Sequence, residues 1–213
     1  MSSNVVTNAL VLVLAFSSGF IIMSIELLGG RILAPYFGSG IYVWGSIITV
    51  FMLSLSIGYL IGGRLSVDNP NLFRYGTFFI GAAITLLPTI AFGEAMLDWV
   101  FGMITDPRYG SLVASMLLFF VPTAVLGMIA PYSVRLMVEH ARHSGKVAGG
   151  LYFVSTLGSA RGTLATSFYL VLWLEVNNIL LTMFGTLIAG GCIAIFSHYR
   201  LAPTPEPELV IEE

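Results

Sequence analysis

Residues 8–33 read NALVLVLAFSSGFIIMSIELLGGRIL, and only Glu26 and Arg31 in this run carry a charge. Because a helix rises 1.5 Å per residue, about 20 apolar residues suffice to cross the hydrocarbon core of a bilayer. No small-residue cleavage site precedes Glu26, and the residues before the run contain no Lys or Arg. The run is therefore predicted to be a retained transmembrane helix and not a signal peptide.

The composition of the whole chain also indicates a membrane protein. Hydrophobic residues make up 57% of the 213 residues and charged residues 9%, and the mean hydropathy is +0.92. A soluble domain carries about 25% charged residues. Five more apolar stretches are long enough to span a bilayer, at 41–62, 73–92, 111–130, 147–174 and 178–199. The fold is predicted to be all-α, a polytopic bundle of six transmembrane helices in residues 1–200.

The basic residues predict how this bundle is oriented, because cytoplasmic loops are enriched in Lys and Arg. Six of them fall on one side of a six-span arrangement: Arg64, Arg74, Arg135, Arg142, Lys146 and Arg200. Both termini are thus expected in the cytoplasm, in a bacterial inner membrane. Residues 93–110 are expected to form an interfacial loop or short amphipathic helix. The proline-rich, acidic tail at 201–213 is expected to be an extended linker.

Several classes of function are disfavoured. The formal net charge of -2 gives no basic surface for nucleic acid, and the single Cys192 excludes an internal disulfide and a thiolate metal cluster. His140 and His143 are spaced to share one helix face, but no third ligand is evident, so a solvated basic loop is favoured. No metal, cofactor or catalytic set is predicted, and this chain alone is not expected to be an enzyme.

Two sequence patterns predict how the helices pack. Gly58 and Gly62 form one GxxxG pair and Gly158 and Gly162 another, which favours close helix contacts. The tetrapeptide LAPY at 33–36 is echoed by IAPY at 129–132, near half the helical length. The echo suggests two three-helix halves of opposite orientation, as in inverted-repeat transporters. Shared helix-ending chemistry is the alternative explanation.

Three charged residues lie at membrane depth: Glu26, Arg31 and Arg161. A charge at the bilayer centre costs about 2.5–3.5 kcal/mol on insertion scales, so such a residue is normally paired or faces water. Glu26 is the one acid inside another predicted span, so it is expected to pair with Arg161 across the bundle interior. The alternatives are that Arg31 extends to the interface and that Arg161 reaches a wet vestibule or helix carbonyls.

Aromatic side chains cluster near the predicted outer ends of the spans. They are Tyr36, Tyr42, Trp44 and Trp173, and Tyr36 and Trp44 are the two taken as site candidates. An interfacial aromatic belt is one interpretation of them, and the lining of an outer vestibule is the other. Together with Glu26, Arg31 and Arg161 they are the candidate residues for ligand binding or ion pairing.

At this point the motifs resemble a known family. ELLGGRILAPYFG at 26–38, YVWG at 42–45 and GYLIGG at 58–63 are similar to the membrane portion of spermidine synthase-like proteins. GMIAP at 127–131 and YFVSTLGS at 152–159 fit the same pattern. The resemblance implies a transporter-like membrane region that works with a cytoplasmic aminopropyltransferase-like domain of methyltransferase fold. Arg161 departs from the small or apolar residue expected at its position.

Three functional hypotheses follow. The first is a membrane module that serves a synthase-like domain or subunit and binds or moves a polyamine-like cation, with Glu26 as the acid that faces the cation. The second is an independent small-solute or proton-coupled transporter, with a homodimer that completes twelve spans. The third is a structural membrane anchor in which the charges serve folding alone.

Overall fold

A computed structural model of the chain describes residues 2–138 and 144–201, and within them every regular element is a helix. The all-α prediction is therefore confirmed. The elements are α1 (Ser2–Phe37), α2 (Ile41–Leu65), α3 (Leu72–Met103), α4 (Pro107–Gly127), α5 (Ile129–Met137), α6 (Ser144–Ala165), a π-helical turn (Thr166–Leu170), α7 (Val171–Trp173) and α8 (Val176–Leu201). His140, His143 and the acidic tail beyond residue 201 lie outside the described residues.

Five helical stretches are long and apolar enough to cross a membrane, which indicates a bilayer environment. They are Val5–Phe37, Ile41–Leu65, Leu72–Met103, Pro107–Met137 and Val176–Arg200. The sixth expected span, 147–174, is not one of them. Its helix α6 is rich in Gly, Ser and Thr, and the helical geometry then widens into the π turn before α7 ends at Trp173.

Of the two structures expected for residues 93–110, the interfacial loop is wrong, and the amphipathic helix is present as the end of α3 and not as a separate short helix. α3 continues without a break from Leu72 to Met103, and α4 begins at Pro107. Leu97 and Val100 are buried, whereas Glu94 and Asp98 are exposed. The polar residues are tolerated because this end of α3 is amphipathic and presents them away from the core.

The two LAPY-like segments adopt different local structures. Pro35 lies inside the last turn of α1, which ends at Phe37. Pro131 lies in the first turn of α5, where its missing N–H removes no helical hydrogen bond. The break in the second segment lies at Met128, between α4 and α5. It directly follows Gly127, whose carbonyl would accept the i→i−4 bond that Pro131 cannot donate, so the proline accounts for the end of α4.

Close glycine contacts join the helices in pairs, and the predicted GxxxG packing is confirmed. A Cβ added at Gly158 or Gly162 of α6 would collide with the backbone carbonyls of Phe16 or Phe20 of α1. A Cβ at Gly58 of α2 would collide in the same way with the Ala124 carbonyl of α4. α3 and α8 meet through Gly76, whose added Cβ would lie 2.6 Å from the Gly191 carbonyl oxygen. Small residues thus set the helix separations in this bundle.

Candidate functional site

A cavity of about 790 Å³ opens where the end of α1 faces α3 and the start of α8. Its walls are the α1 segment around Arg31 and Tyr36, residues 89–95 and 97 of α3, and Val176, Asn177 and Leu180 of α8. Polar groups and apolar surface both line it, and the polar side chains include one cation and one carboxylate. A cavity of this volume falls within the range of small-molecule sites.

Arg31 lies in the last third of α1 and reaches across to the segment that precedes α8. Its Nη1 donates a hydrogen bond of 3.4 Å to the carbonyl of Val171 in α7. The side chain is otherwise exposed. Arg31 therefore places a positive charge on the cavity wall. Its hydrogen bond to Val171 also connects α1 to α7.

Tyr36 is the aromatic residue of the same wall. Its ring packs edge-on against Phe101 of α3, with ring centroids 6.0 Å apart and an interplanar angle of 67°. The carboxylates of Asp98 and Glu94 lie close enough to act on its hydroxyl electrostatically. Tyr36 therefore presents a ring face and a hydroxyl beside two acids, on the side of the cavity formed by α3.

Glu94 is the carboxylate among the residues that line this cavity, and the sequence analysis did not select it. It stands on the amphipathic end of α3, beyond the apolar stretch 73–92. The signal that could have found it is the spacing of Glu94 and Asp98, four residues apart on one exposed face, against the buried Leu97 and Val100. That spacing is typical of an amphipathic helix.

Glu26 and Trp44 are placed elsewhere. Trp44 of α2 covers Gly30 of α1, where an added Cβ would lie 2.7 Å from the indole ring. Glu26 is one turn earlier on the same face of α1, half-buried, and is not among the residues that line the cavity. The carboxylate expected to face a cation is therefore outside this cavity, on the face of α1 that carries Gly30.

The expected ion pair between Glu26 and Arg161 is not formed in the described structure. Gly162 packs on Phe20 and α6 runs parallel to α1, so Arg161 sits about seven residues, or about 10 Å, below Glu26 along α1. Tyr152 of α6 lies near Tyr59 of α2, and Arg161 is nine residues after Tyr152, which is two and a half helical turns. Arg161 consequently faces away from α2, and its side chain is exposed.

A buried polar seam joins α1 to the region where α6 becomes π-helical. The Thr166 hydroxyl donates to the Ser24 Oγ at 2.8 Å, and the Ser24 hydroxyl lies 2.8 Å from the Phe20 carbonyl oxygen. Ser159 Oγ lies 3.3 Å from the Gly19 carbonyl. These bonds satisfy hydroxyls that would otherwise be costly in an apolar interior. They tie α1 to the start of the π turn that leads into α7.

Comparison with family models, with curated proteins and with solved structures finds no match to this chain.

Proposed function

We propose that the chain is a membrane module that binds a small, polyamine-like cation in the cavity between α1, α3 and α8. The observation that carries this proposal is the lining of that cavity, in which Glu94 and Tyr36 stand on neighbouring helices. An ammonium group is attracted both by a carboxylate and by the face of an aromatic ring. A chain of methylenes between two amines would lie along the apolar part of the wall.

Arg31 has a different role in this proposal. Its hydrogen bond to the Val171 carbonyl fixes the guanidinium at one edge of the cavity. A fixed positive charge repels a second ammonium group, so it limits how a diamine can lie in the site. The amine end is thereby directed toward Glu94 and Asp98, at the end of the bundle that the distribution of basic residues assigns to the outside.

The proposal extends to the architecture and the partner. The bundle is taken to be six spans in two inverted halves, with both termini in the cytoplasm of a bacterial cell. Its support is the pattern of packing. α6 packs on α1 through one GxxxG pair, and α2 packs on α4 through the other. If α1 to α3 form one half and α4 to α8 the other, exchanging the halves turns the α1–α6 pair into the α4–α2 pair. The motif resemblance supports a spermidine synthase-like domain or subunit as the cytoplasmic partner.

Equilibrium binding of labelled spermidine to the full chain in lipid nanodiscs tests the site. Because a hydrogen bond to a charged group contributes about 1.5–3 kcal/mol, the Glu94→Gln variant is expected to bind at least about tenfold more weakly. Asp106→Asn is the matched control, because Asp106 is an acid at the same end that caps α4 through the Arg108 N–H at 2.8 Å and does not line the cavity. Equal weakening in both variants would contradict a specific site. A folded chain that binds no spermidine would contradict the proposed amine site.

A further inference from the structure

Arg161 is an exposed charge at the middle of the bundle. Gly162, its neighbour, packs on the backbone of Phe20, and residue 21 is the midpoint of the Val5–Phe37 span. The hydrocarbon core extends about 15 Å from its midplane to the headgroups, farther than an arginine side chain reaches. An arginine that faces lipid at this depth is costly, and such residues normally have a partner.

The surface around Arg161 has the shape of a helix-packing ridge. Phe153, Leu157, Arg161, Leu164 and Phe168 follow one another at intervals of four, four, three and four residues along α6 and the π turn. All five side chains are exposed. This spacing keeps them on one face of a helix, which is the pattern of a surface that receives a neighbouring helix. We call these five residues the α6 ridge.

Within residues 2–138 and 144–201, no acid offers a counter-charge to this ridge. Among the described residues, the acids other than Glu26 lie in connecting segments or near the ends of helices, at Asp68, Glu94, Asp98, Asp106 and Glu175. Glu26 is half-buried, on the face of α1 where Gly30 meets Trp44 of α2. A second copy packed symmetrically on the α6 ridge would bring two Arg161 side chains toward each other, which is unfavourable in a medium of low dielectric constant.

We infer that the α6 ridge docks a transmembrane helix of a different chain, which carries an aspartate or glutamate at mid-membrane depth opposite Arg161. The apolar members of the ridge provide the packing surface, and the arginine selects the partner by its charge. α6 also falls outside the helices that are apolar enough to span on their own, which fits a helix whose outer face is covered by protein. This inference is independent of the amine-binding cavity.

Energy transfer in vesicles of a neutral phospholipid tests it with the full chain. Cys192 is the single cysteine and is exposed, so it carries the donor. The probe is a polyleucine transmembrane peptide with one central glutamate, labelled with the acceptor, and the comparison peptide has glutamine there. The variants are Arg161→Leu, Arg161→Lys and, as a matched control, Lys146→Leu, which removes another exposed basic residue of α6.

In mildly alkaline buffer the glutamate peptide is expected to bind at least about tenfold more tightly than the glutamine peptide. Arg161→Leu should abolish this preference, Arg161→Lys should keep most of it, and Lys146→Leu should leave it unchanged. Equal binding of the two peptides, or a preference that survives in Arg161→Leu, would overturn the inference. So would self-association of the chain that depends on Arg161, or loss of the preference when the vesicles contain phosphatidylglycerol, since those results would assign the surface to a second copy or to lipid headgroups.

Discussion

Replacing Gly158 by alanine tests the contact that sets the distance between α1 and α6. The added Cβ would overlap the Phe16 carbonyl oxygen and lie 2.9 Å from its carbon and 3.0 Å from its Cα, all of them backbone atoms that no rotamer change can move. Relief requires the helices to separate by about 1 Å, and a gap of that size forfeits a quarter to a half of each van der Waals contact. Overpacking of this kind costs about 1–3 kcal/mol.

The neighbouring hydrogen bonds raise the expected loss. Separation would lengthen the 3.3 Å contact of Ser159 with Gly19 and the 2.8 Å bond of Thr166 with Ser24. We therefore expect Gly158→Ala to lower the free energy of unfolding by about 2–3 kcal/mol. In the double variant Gly158→Ala/Gly162→Ala, the loss of unfolding free energy should be smaller than the sum of the two single losses. The reason is that the first substitution already separates the two helices.

Reversible unfolding in mixed micelles, with sodium dodecyl sulfate as the denaturant, measures this loss. Gly149→Ala is the matched control on the same helix, because no atom lies within 4 Å of its added Cβ. Since alanine is favoured over glycine inside a helix by about 0.5–1 kcal/mol, the control should be neutral or slightly stabilised. A Gly158→Ala variant as stable as Gly149→Ala would refute the packing of α1 on α6.

Three further substitutions test other contacts. Thr166→Val removes the buried bond to Ser24 and should cost about 1 kcal/mol in the same unfolding assay, whereas Thr156→Val, at an exposed position, should cost little. Tyr75→Phe removes the 2.7 Å hydrogen bond to Ser133 and should also lower the free energy of unfolding by about 1 kcal/mol. Tyr109→Phe, at an exposed position, is its control. Equal losses of unfolding free energy in the two variants would contradict the Tyr75–Ser133 bond. Gly30→Ala should displace the Trp44 ring and change the tryptophan emission, while Gly45→Ala, which meets no atom within 4 Å, should not.

The sequence predicted those parts of the fold that depend on hydrophobic length and residue size. Long apolar runs define α1, α2 and α8, because lipid requires each backbone polar group to be bonded within its own helix. The GxxxG pairs at Gly58 and Gly158 predicted tight packing, because only a missing side chain lets two backbones approach. Which helices they join was not predictable, since the spacing carries no information about the partner.

The candidate site was predicted only in part, for a physical reason. Arg31 and Tyr36 share the cavity, but Glu94 was missed and Glu26 does not line it. A helix can extend past the apolar region if it is amphipathic, and a search for continuous hydrophobicity does not detect this in α3. The direction of Arg161 depends on which face of α6 meets α1, and that is set by Gly158 and Gly162 and not by the charge.

The most direct test of the central claim is protection of a cavity residue by the proposed ligand. Asn177 lines the cavity, whereas its neighbour Asn178 is exposed and does not. In a Cys192→Ser background, Asn177→Cys and Asn178→Cys are treated in sealed vesicles with a membrane-impermeant maleimide applied to the outer face. We predict that both react and that spermidine slows the reaction at Asn177→Cys alone. Reaction from the cytoplasmic face only, or equal rates with and without spermidine at Asn177→Cys, would contradict an outward-facing amine site.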